Sequence, residues 1–64
     1  MALELVGTHP EKPTMTVGFF ENNLMLLHLE GTEPILRDSM NIGEVKRILA
    51  NAGYSVTEHE IEAD

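Results

Sequence analysis

Two apolar runs meet at a pair of asparagines: Met15 to Phe20 lies on one side of Asn22-Asn23 and Leu24 to Leu29 on the other. Asn accepts the positive φ values that tight hairpin turns need, so residues 14–30 read as a β-hairpin. A helix over the second run competes, because Leu, Met and His are tolerated in helices and Gly31 could end one. Gly18 and the adjacent asparagines weigh against it. A two-residue turn would pair Glu21 with Leu24. That register places Met15, Val17, Phe19, Leu24, Leu26 and His28 on one face, and Thr14, Thr16, Gly18, Phe20, Met25, Leu27 and Leu29 on the other. Both faces are apolar, and a sheet that is apolar on both sides has to be covered on both.

One helix is legible to do part of the covering. Asn41 is a good N-cap, and Glu44 stands where its carboxylate could reach back to the cap as in a capping box. Ile42, Val45, Ile48, Leu49 and Ala52 fall within about 120° on a helical wheel, and Gly53 can end the element. This predicts an amphipathic helix over about 42–52.

Three weaker strands surround these elements. "ALELV" at 2–6 alternates as a strand or forms a loose arm, stopped by Gly7, Pro10 and Pro13. "ILRDSM" after Pro34 offers a short edge strand. Residues 54–61 alternate again, with Tyr54 and Val56 on one face and Ser55, Thr57, His59 and Ile61 on the other. The acidic end, 58–64, is expected to fray; if the strand continued, Glu58, Glu60, Glu62 and Asp64 would make an anionic stripe. The expected fold is α+β: a small antiparallel or mixed sheet of three to five strands with one helix on one face. The whole of 1–64 reads as a single domain, near the lower size at which a core suffices without disulfides or metal.

Eleven Asp and Glu against four Lys and Arg give a formal charge of -7. The four bases, Lys12, Arg37, Lys46 and Arg47, form no run that could follow a phosphate backbone, which disfavours direct nucleic-acid binding. A basic protein partner is the electrostatic complement, although such charge also serves solubility. No apolar run approaches the roughly 20 residues that span a bilayer, and no signal-peptide pattern opens the chain, so a cytoplasmic setting is expected without a membrane partner.

Chemistry is thin. The chain has no Cys, and Ser39 beside Asp38 reads as turn chemistry. Neither "GTEP" nor "NIGEV" has the spacing of a phosphate loop. In "EHE" at 58–60, strand alternation sends His59 away from Glu58 and Glu60, which leaves too few ligands for a metal. His28, inside an apolar run, needs a hydrogen-bond partner or an edge position. No catalytic residue, cofactor or metal is therefore expected, and an enzyme is disfavoured.

What remains is surplus apolar surface. With one helix on one face, Phe20, Met25, Leu27 and Leu29 are the expected partner interface, and Glu58, Glu60, Glu62 and Asp64 the expected acidic surface. The expected function is a non-catalytic protein-interaction module, a small acidic regulator or inhibitor that self-associates as a homodimer or binds a basic protein. An accessory subunit of a larger assembly is the alternative, and a sheet that curls over its own second face would remove the need for either.

Overall fold

The computed structural model describes residues 2–61. In chain order the elements are β1 (Ala2–Thr8), β2 (Met15–Phe19), β3 (Leu24–Leu29), β4 (Ile35–Asp38), α1 (Ile42–Asn51) and β5 (Ser55–Ile61). The strands form one five-stranded sheet in the order β4-β3-β2-β1-β5, with every neighbouring pair antiparallel. The fold is thus α+β, with α1 carrying the chain from one edge of the sheet to the other.

The hairpin forms, with a longer turn than the two asparagines alone imply. Phe19 pairs with Met25, and the Phe20 N–H donates to the Leu24 carbonyl at 3.0 Å, so Glu21, Asn22 and Asn23 make a three-residue loop. Asn23 takes φ +60°, the left-handed position such loops reserve for Gly or Asn. The extra loop residue moves the register by one, so the expected pairing of Glu21 with Leu24 is corrected. Met15, Val17 and Phe19 now share a face with Met25, Leu27 and Leu29, while Gly18 and Phe20 share the other with Leu24, Leu26 and His28.

The first of these faces carries the core. Leu5 and Val17 are fully buried, and Phe19, Met25, Val45 and Leu49 join them, with Leu3, Leu27, Ile42 and Val56 packed at the margin. Helix and sheet meet through Val45 and Leu49, two residues one turn apart on the stripe read from the sequence. The Asn41 side chain accepts from the Gly43 and Glu44 N–H groups at 2.8 and 3.3 Å, which fixes the start of α1. The Glu44 carboxylate does not close the expected capping box; it takes a 2.7 Å contact with Arg47 one turn on. At the other end Gly53 is left-handed, φ +91°, and returns the chain to β5.

β1 passes straight through Gly7, which pairs with Met15 on one side and Val56 on the other. Gly7 leaves room for the Tyr54 ring that lies over it: a Cβ would stand 3.2 Å from the ring, which would have to give by a few tenths of an ångström. Tyr54 in turn donates its hydroxyl proton to the Pro13 carbonyl at 3.0 Å and meets the His9 ring edge-on at 5.5 Å, tying the β1–β2 loop to the start of β5. β5 continues to Ile61, with Leu5 opposite Glu58 and Leu3 opposite Glu60, so 58–61 are a paired strand where fraying was expected. Residues 62–64 lie outside the described residues.

Candidate docking surface

Strands about 4.8 Å apart put the outer strands of a five-stranded sheet about 19 Å from one another, whereas a helix with its side chains is about 10–12 Å wide. One helix covers about half of one face. α1 sits towards β5, where Lys46 makes an exposed ion pair with Glu58; it covers Met25 in β3 but leaves β4 and the Leu27–Leu29 end of β3 without a lid. The result is a cleft of about 680 Å³ lined chiefly by Met15, Leu27, Leu29, Pro34 and Ile35. Met40 and Ile48 border the adjoining apolar groove beside the helix.

No helix covers the opposite face among the described residues. Antiparallel pairing brings residues to it in rows across the strands. Leu36, Leu26, Gly18, Glu4 and His59 form one row, and Phe20 lies beside Leu24 in the next. Phe20 folds back over Gly18, 3.5 Å from where a Cβ would be, and is still 44% exposed. Leu36 and Ile61 are exposed at the two edges of the same face. His28 and His59 also lie here. The ring of His28 meets its polar demand through Nε2 at 3.1 Å from the Thr32 carbonyl, and that of His59 stands 3.2 Å from the Thr57 hydroxyl.

β4 is where the two uncovered zones join. Every residue of this edge strand is exposed, and Ile35 and Leu36 point to opposite faces while 46% and 53% of their surfaces meet water. A short edge strand, apolar on both sides and open along its outer backbone, is the kind of element that proteins usually cover.

The residues expected as a partner interface do not fall together. Phe20 is on the open face, Met25 is in the core at 5% exposure, and Leu27 and Leu29 lie on the helix side, where they line the cleft. The one-residue shift in register is the cause. Leu24, Leu26 and Leu36 take the places beside Phe20; the loop length that puts them there is set by Asn23, and the sequence does not distinguish a two-residue loop from a three-residue one. Of the expected acidic surface, Glu58 and Glu60 are exposed on the helix side, Glu58 pairs with Lys46, and Glu62 and Asp64 lie outside the described residues. His59 is on the other face from Glu58 and Glu60, and no group of three metal-ligating side chains comes together among the described residues. Nor is any helix among them long and apolar enough to cross a membrane.

Comparison with protein-family models, with curated proteins and with solved structures found no match for this chain. The functional reading therefore rests on the surface just described.

Proposed function

We propose that this protein is a non-catalytic interaction module, a small acidic regulator or inhibitor that acts by burying the uncovered part of its sheet against another polypeptide in the cytoplasm. The observation that carries the reading is the exposure of Ile35 and Leu36 on opposite sides of β4, continuous on one face with Phe20, Leu24 and Leu26. At about 25 cal/mol per Å², apolar surface left in water forgoes free energy that a domain of this size, stable by only about 5 kcal/mol or a little more, has little reason to forgo unless a partner recovers it. Either a second copy of the chain or a basic protein would supply the missing surface.

Affinity enrichment from native cells tests this, with the wild-type chain beside a Phe20→Ser, Leu36→Ser double variant. The reading expects a protein bound by the wild type and lost by the variant, whose fold is checked by circular dichroism. A bound set unchanged by the variant would contradict it.

The cleft over β3 and β4 on the helix side of the sheet favours a second reading, an accessory subunit whose slot receives a helix of a larger assembly permanently. Obligate contacts of that kind are mainly apolar and insensitive to salt, whereas docking led by charge weakens as salt rises. Raising the salt during the enrichment separates the two.

A further inference from the structure

The charges of the chain are sorted between the two sides of the sheet. Arg37 stands on the helix side opposite Met25, Lys46 and Arg47 are on α1, and Lys12 reaches the Ala52 carbonyl at the end of the helix at 3.5 Å. None of the four Lys and Arg lies on the open face. That face has carboxylates: Asp38 opposite Leu24 at the edge, and Glu4 in the interior of the sheet between Gly18 and His59. Glu4 is half-buried already, and no hydrogen bond or ion pair holds its carboxylate among the described residues.

Glu4 decides what can cover this surface. A purely apolar partner would seal an ionised carboxylate away from water without a counter-charge, a desolvation cost that offsets much of the gain from Phe20, Leu26 and Leu36. A second copy would bring another Glu4, another Asp38 and two imidazoles, but no Lys or Arg. A guanidinium or ammonium set among apolar side chains satisfies both demands at once, since its stem packs on Leu26 and its head meets the carboxylate.

We propose that the open face of the sheet binds an apolar protein surface that carries Lys or Arg, with Glu4 as the central counter-charge and Asp38 as a second at the rim. The inference rests on the docking reading above and adds the chemistry of the partner: a basic protein, in preference to a second copy of this chain.

The test uses two synthetic amphipathic helices with the same leucine face, one flanked by lysine and the other by glutamate, titrated into the full chain and followed by amide NMR shifts. The lysine peptide is expected to move Glu4, Gly18, Leu26 and Leu36, to bind at least about tenfold more tightly than the glutamate peptide, and to lose about tenfold or more on Glu4→Gln. Asp38→Asn, at an exposed edge, should weaken it less. The double variant Glu58→Gln, Glu60→Gln changes the net charge by more than Glu4→Gln and should leave the affinity within about twofold, because both groups lie on the helix side.

Equal binding of both peptides to the open face would overturn the charge inference and leave the docking reading standing. So would sedimentation showing a dimer that Phe20→Ser, Leu36→Ser dissolves, since the occupant would then be a second copy. Shifts confined to the helix side, or an affinity that follows net charge whichever acids are removed, would likewise overturn the charge inference alone, and shifts at neither the open face nor the cleft would overturn both.

Discussion

Phe19 stands opposite Met25 across the β2–β3 hairpin, and both are buried beneath α1. Their pairing marks the register of β2 against β3, and with it the division of the chain's apolar residues between a core and an open face. Met25→Ala removes a buried side chain from the core cluster and should cost about 2–5 kcal/mol. In a domain this small that leaves little or no folded protein, as a urea titration would read directly.

Asn23 holds the loop that sets this register. Its φ of +60° suits Gly as well as Asn, so Asn23→Gly should change the unfolding midpoint little, whereas a β-branched Asn23→Val should destabilise by about 1–2 kcal/mol. Thermal melts of the two variants make the comparison.

Much of the fold is legible in the sequence because local chemistry and tertiary packing agree there. The helix is the clearest case: Asn41, the Val45 and Leu49 stripe, and Gly53 each do in the structure what their residue types predict. The hairpin is legible too, but its register is not, since Glu21-Asn22-Asn23 and Asn22-Asn23 are both acceptable loops and apolar residues on both strand faces give no pattern to choose between them. β1 was readable only as far as Val6, because a Gly ordinarily interrupts a strand; the Tyr54 ring that makes Gly7 fit comes from the far end of the chain. The docking surface inherits these limits. An uncovered apolar face follows from counting one helix against a two-sided sheet, while the residues that occupy it depend on the loop.

Gly7 and Tyr54 give a prediction of their own. Gly7→Val would drive a branched side chain into a ring 3.2 Å from its Cβ and, through that ring, disturb the bond from Tyr54 to Pro13. Overpacking of this kind costs about 1–3 kcal/mol, and a smaller partner at 54 should recover part of it. The double variant Gly7→Val, Tyr54→Leu, compared with each single change, measures that coupling.

At the start of α1, Asn41→Ala leaves the Gly43 and Glu44 N–H groups without their cap and should cost about 1 kcal/mol. Glu44→Gln should cost less, because its carboxylate serves an exposed contact with Arg47 and not the cap. Unfolding of both variants under one buffer condition ranks them.

The account holds that the apolar residues at the β4 edge serve a partner and contribute little to the stability of the free chain. Equilibrium unfolding of Leu36→Thr tests this most directly, since Thr keeps the strand propensity and removes the apolar side chain. A free energy of unfolding within about 0.5 kcal/mol of wild type is the predicted result. A loss of more than about 1.5 kcal/mol would mean that Leu36 is packed in the isolated chain, and the docking surface proposed here would not exist.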